Sequence, residues 1–226
     1  MDILSALGSV ASLIGLTMQV MNDYEKEHPD EVGKAMGALK ALSVRGKSWK
    51  DIHARYHSID RHTGNLLAAI EEIDSGQRVK KDIKRINAND LRLVFNNVEW
   101  GNIIDTLRDD LEPHIYTLKA SSDTANKRKD HILNELRNSN YANIAESIHR
   151  IINAQEKILS VHSDFSEYLE RIEKFVDEDT WTTDQIEYVV SKRKLIGIGI
   201  PSVIASTDIA LMSMLDLYTI VIDSTE

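Results

Sequence analysis

Apolar residues recur along this chain at alternating steps of three and four, and that period decides what it can fold into. Trp49, Ile52, Tyr56, Ile59, Thr63, Leu66, Ile70 and Ile73 follow it. So do Leu93, Asn97, Trp100, Ile104, Leu107, Leu111, His114 and Leu118. The longest run is Tyr141, Ile144, Ile148, Ile151, Gln155, Ile158, His162, Phe165, Leu169, Ile172 and Val176. Such a step returns side chains to one helix face, so each run predicts a long helix with a coiled-coil-like seam. The expected fold is all-α, an elongated antiparallel bundle of long coiled-coil-like helices forming one domain over residues 1–226. Residues 1–28 and 195–222 would be appended to that bundle or packed into it.

Punctuation is sparse: 10 Gly and 3 Pro in 226 residues. Pro29 and Asp30 should open a short helix through Leu42, with a turn or kink over Ser43–Ser48. Gly76, after Asp74 and Ser75, should close the next helix as a residue free to take left-handed backbone angles. A basic connector, Arg78–Arg85, leads to Asn89 as an N-cap. Pro113 lies inside its run and should kink or split the helix near Asp109 to Glu112. Thr182 with Gln185 has the spacing of a capping box for the last helical region. In the C-terminal segment, Leu195–Ile200 and Leu217–Ile222 have strand-like composition, which makes a small β pair the alternative to helix there.

A net charge of -9 argues against general nucleic-acid binding, because phosphate contacts need a dense Lys/Arg surface. The chain has no cysteine, which excludes disulfides, thiolate metal sites and a cysteine nucleophile. Asp2 stands where a secretory signal would be basic, so no standard signal peptide is expected.

Motifs that resemble catalytic or ligand sites fail on context. Ala41–Ser48 matches a permissive phosphate-binding loop, but its flanks are helical and Ala41 replaces the first glycine. His53 and His57 stand one helical turn apart and are the weak candidates for metal ligands, with no Glu after His53 to complete a zinc-protease pattern. Glu146 and His149 form one Glu-x-x-His pair where a di-iron bundle needs two. No enzyme activity, cofactor or small-molecule substrate is expected. Gln155 and His162 occupy the same seam position and should either hydrogen-bond inside the bundle or act as a register-fixing or pH-sensitive latch. Trp49, Trp100 and Trp181 are candidate interface anchors, each also explicable as core.

The two ends are the least ordinary parts. Ile3 to Asn22 is uncharged, with Ile3, Leu7, Val10, Ile14 and Met18 on one stripe and small residues Ser5, Gly8, Ser12 and Gly15 on another face. Leu195 to Ile222 carries only Asp208 and Asp216 as charges and follows Lys192-Arg193-Lys194. Within it Leu195, Ile196, Ile198 and Ile200 are the candidate membrane or assembly residues. Long antiparallel helices with an apolar, glycine-containing segment resemble the α-helical pore-forming toxin subunits. That resemblance covers architecture and departs in placing the apolar segments at the ends. It implies a helix deployed into a bilayer. The expected function is helix-mediated protein–protein assembly or self-association, with membrane action as the alternative.

Overall fold

A computed structural model of the chain describes residues 31–80, 93–95, 98–126, 129–138, 142–178 and 181–223. Every regular element among them is helical. In chain order they are α1 (Glu31–Lys80), α2 (Val98–Asp105), a π-helical stretch (Thr106–Leu111), α3 (Glu112–Asn126), α4 (Lys129–Arg137) and α5 (Ala142–Val176). Then come α6 (Thr183–Ser191), a second π stretch (Leu195–Gly199) and α7 (Ile200–Asp223). The C-terminal β pair is therefore replaced by helix: no strand occurs among the described residues. An apolar run of that length pairs its backbone groups internally as a helix, except at the two ends, whereas two short strands would leave exposed edges.

Two expected breaks are also absent. Ser43–Ser48 and Asp74-Ser75-Gly76 both lie inside α1, which runs through 50 residues. A glycine within a helix costs only about 1 kcal/mol relative to alanine, and at Gly46 the buried stripe that follows outweighs it. That stripe is continuous: Trp49, Ile52, Tyr56, Ile59, Thr63, Leu66 and Ile70 are all buried. Thr63 fits there because its hydroxyl donates to the Asp60 carbonyl at 3.0 Å.

Both described prolines sit two residues beyond a π stretch, Pro113 after Leu111 and Pro201 after Gly199. Proline has no N–H and its ring crowds the carbonyl four residues back. Widening the preceding turn moves that carbonyl aside. At the second site the Ile200 N–H reaches the Leu195 carbonyl, five residues back. The first π stretch lies where a kink was expected and shifts the seam. The buried residues are Trp100, Ile103, Leu107, Leu111, Ile115 and Leu118, with steps of four through the widened turn. Ile104 and His114 are only half-buried, and Leu93 is exposed. The capping box forms as expected: the Gln185 N–H donates to the Thr182 hydroxyl, and the Thr182 N–H donates to Gln185 Oε1.

The chain divides into two compact units. One comprises the described residues of Met1–His53, Pro113–Leu159 and Ala205–Glu226. Its interior is aliphatic, built on Leu42, Ile52, Ile115, Leu118, Ile144, Ile148, Ile151, Ile158 and Leu217, with Trp49. The other comprises the described residues of Ala54–Glu112 and Ser160–Ile204. A chain of aromatic contacts runs from its interior to the half-buried Phe175 and Tyr188. Trp100 meets Phe95 edge-on at 4.8 Å, Phe95 stacks on Trp181 at 6.1 Å, and Trp181 meets Phe175 at 5.9 Å. Phe175 meets Tyr188, Tyr188 meets Tyr168, and Tyr168 stacks on Phe165.

Two substitutions in this aromatic chain should act in different ways. Trp181→Ala should lose about 3–5 kcal/mol in denaturant melts, the usual cost of deleting a buried indole. The Tyr168 hydroxyl is buried without a hydrogen-bond partner among the described residues. Tyr168→Phe should therefore leave stability unchanged or raise it in the same melts, because an unsatisfied buried hydroxyl contributes nothing.

Candidate functional site

The residue pairs that suggested chemistry are separated by the fold or engaged in ordinary contacts. Ala41–Ser48 is helical throughout, so its backbone N–H groups are used within the helix and form no phosphate cradle. Within that segment Arg45 is buried, and burial lowers its guanidinium pKa to about 10, leaving it charged at neutral pH. His53 Nε2 lies 2.9 Å from Asp208 Oδ1, tying α1 to α7, while His57 is exposed. No group of three or more His, Cys, Asp or Glu side chains positioned to hold a metal is found among the described residues. Glu146 accepts from Arg150 at 3.1 Å and His149 lies 3.3 Å from Asn153 Nδ2, both along the surface of α5.

Gln155 and His162 are buried as the seam implies, one in each unit. Gln155 Nε2 donates to the Leu118 carbonyl at 2.6 Å. His162 Nδ1 lies 3.2 Å from the Tyr56 hydroxyl, and its Nε2 lies 3.5 Å from Glu112 Oε2. Tyr56 is itself fully buried. With a neutral imidazole, the Tyr56 O–H donates to Nδ1 and Nε2–H points at Glu112. Protonation would put a hydrogen on Nδ1 and force the tyrosine to accept, leaving its own O–H without an acceptor. Burial accordingly holds the imidazole below its ordinary value of 6.5, and the charge and hydrogen bond of Glu112 oppose that shift only in part.

All three tryptophans are core residues. Trp49 is fully buried in the first unit, and Trp100 and Trp181 belong to the aromatic chain of the second. Their rings are already removed from water by their own unit, so as placed they are not available as anchors for a partner. The N-terminal residues Ile3, Leu7, Val10, Ile14 and Met18 lie outside the described residues. Of the C-terminal candidates, Ile196 and Ile200 are buried, Leu195 is half-buried and Ile198 is exposed. A Cβ on Gly199 would stand 3.2 Å from Leu195 Cδ1 within the same stretch, and at an ordinary contact distance of 3.4 Å from Val161 Cγ1 on α5.

The surface that stands out is on α7. Its inward face follows the seam: Ile200, Val203, Thr207, Ala210, Met214 and Leu217 are all buried. Its outer face is apolar as well. Ile209 is 48% exposed, Met212 69% and Leu215 65%, with Tyr218 and Ile222 also exposed. These five belong to the first unit. Scattered exposed hydrophobics need no explanation, but Ile209, Met212 and Leu215 are neighbours on successive turns. The candidates drawn from this run by its sequence are Leu195, Ile196, Ile198 and Ile200, none of them on this outer face. The signal available was phase, because Ile209, Met212 and Leu215 fall off the buried three-four repeat.

No protein-family model matches the chain, and no curated protein or solved structure matches it.

The histidine layer generates a pH prediction. With its folded value held below 6.5, His162 stays neutral in the folded unit while the unfolded chain takes up a proton as pH falls through 6.5. The layer's contribution is complete above pH 6.5 and lost as pH drops toward the depressed folded value. Denaturant melts between pH 7.5 and 5.0 should show a stability slope that His162→Leu flattens. Superimposable slopes for parent and variant would remove His162 as the cause.

Proposed function

We propose that this chain is a non-catalytic helical-bundle protein that works by helix-mediated association with other proteins, through the outer face of α7. The observation that carries the reading is the exposure of Met212 and Leu215, flanked by Ile209, on a helix whose opposite face is already in the core. Burying three such side chains against a partner removes apolar area worth about 1.5–3 kcal/mol each when fully covered. An α-helix with anchors one turn apart suits a second helix laid alongside it.

A second reading, membrane action like that of α-helical pore-forming toxin subunits, has its own support. Thr183–Ile220 contains an 18-residue window long and apolar enough to cross a bilayer, and 28% of that window is buried. Against it, Asp208 and Asp216 lie on the exposed side of α7. A carboxylate near the bilayer centre costs about 2.5–3.5 kcal/mol on insertion scales. Association with protein requires no such penalty, and we favour it.

The test uses the full chain with two kinds of probe. Dye-loaded vesicles, anionic and zwitterionic, report lipid binding by flotation and leakage. A panel of designed amphipathic helical peptides, with identical apolar stripes and acidic, neutral or basic flanks, reports helix docking. At least one peptide should bind, with affinity falling tenfold or more in Met212→Asp, and vesicles should neither float the protein nor leak. Peptides that bind parent and Met212→Asp alike, or leakage that Met212→Asp abolishes, would overturn the reading.

A further inference from the structure

The outer face of α7 has a charge pattern as well as an apolar one. From Leu195 to Glu226 the sequence contains Asp208, Asp216, Asp223 and Glu226 and no lysine or arginine. Asp208, Asp216 and Asp223 are all exposed. At about 100° per residue, spacings of four and seven keep the aspartates on one stripe with Met212. Asp208 has His53 beside it at 2.9 Å, whereas Asp216 and Asp223 extend the stripe toward the helix end.

This pattern discriminates among occupants. A second copy laid antiparallel about Met212 would set Asp208 against the other copy's Asp216, and a parallel copy would set each aspartate against itself. Like charges brought together at an interface cost several kcal/mol. A bilayer penalises the same carboxylates, and anionic headgroups repel them. The uncharged run 3–22 of this chain would cover the apolar residues and leave the carboxylates without opposing charge. A helix with an apolar stripe bordered by cations satisfies both requirements.

Building on the association reading above, we propose that the outer face of α7 docks an amphipathic helix of a partner protein whose apolar stripe is flanked by lysine or arginine. Met212 and Leu215 receive the apolar stripe. Asp216 and Asp223 pair with the flanking cations and set the preference among helices of equal hydrophobicity. The net charge of -9 adds to the attraction at long range, so association with a basic helix is faster at low salt.

The decisive measurement is the flank preference within the peptide panel, read by fluorescence anisotropy on the full chain. A peptide of residues 2–24 is added as a further probe, and sedimentation velocity of the protein alone reports self-association. The basic-flanked peptide should bind at least tenfold tighter than the acidic one, and salt should narrow that ratio. The double variant Asp216→Lys with Asp223→Lys should reverse the order, while Met212→Asp weakens every peptide. The thermal melts of these variants should match the parent, since all three positions are exposed. Met212-dependent binding that favours the neutral or acidic peptide would overturn the basic partner and leave the association reading standing. Tighter binding of the 2–24 peptide would assign the face to the chain's own segment, and Met212-dependent self-association would assign it to a second copy. Either result overturns the basic partner. Vesicle binding that needs Met212 would overturn both levels.

Discussion

Each long helix here has to bury one apolar stripe, and α5 carries the stripe on which both units draw. Its first part, from Ile144 to Ile158, lies in the core of the first unit, and its second part, from Val161 to Ile172, lies in the core of the other. The positions of Gln155 and His162 follow from that. A polar side chain at a seam position has no water to turn to, so a protein partner must be supplied at a fixed place. The Leu118 carbonyl, Tyr56 hydroxyl and Glu112 carboxylate supply it. These contacts make the register of α5 against α3 and α1 specific in a way that interchangeable aliphatic layers would not.

The prolines show how a helical chain absorbs residues that do not suit a helix. Neither Pro113 nor Pro201 ends its helix, since a widened turn comes before each and the helix resumes. Before Pro201, Gly197 of that turn also leaves room for Leu67, whose Cδ2 would stand 3.0 Å from a Cβ there. The cost is a change of phase, visible in the shift from Ile104 to Ile103 and from His114 to Ile115 on the buried side. The outer face of α7 begins just past the second such turn.

The fold class was legible because the three-four repeat is a direct consequence of helix geometry. The α5 stripe from Ile144 to Ile172 and the α1 stripe from Trp49 to Ile70 are buried as their spacing implies. The capping box at Thr182 was legible for the same reason, as both partners are three residues apart. Breaks were read less well. The turn residues around Gly46 and Gly76 suggested helix breaks, but both lie inside α1, and glycine propensity is a small local term. Polarity and burial of His162 could be foreseen from its position, whereas its partners come from residues 50 and 106 positions away, beyond the reach of local pattern. The exposed face of α7 was hidden for a different reason. Hydrophobicity says that a residue prefers to leave water, without saying whether its own chain provides the place.

The order in which the units are pieced together bears on how the protein can be made and cut. Each gathers segments from well-separated stretches of sequence, reaching as far as Ile204 in one and into α7 in the other. A chain emerging from a ribosome therefore holds α1 and α5 without their full complement until the last helix has been synthesised. Nascent intermediates must carry half-covered apolar stripes for most of translation, the situation in which chaperone capture competes with folding. For the same reason no single proteolytic cut can release either unit as one contiguous fragment, and gene truncations are a poor route to isolating them.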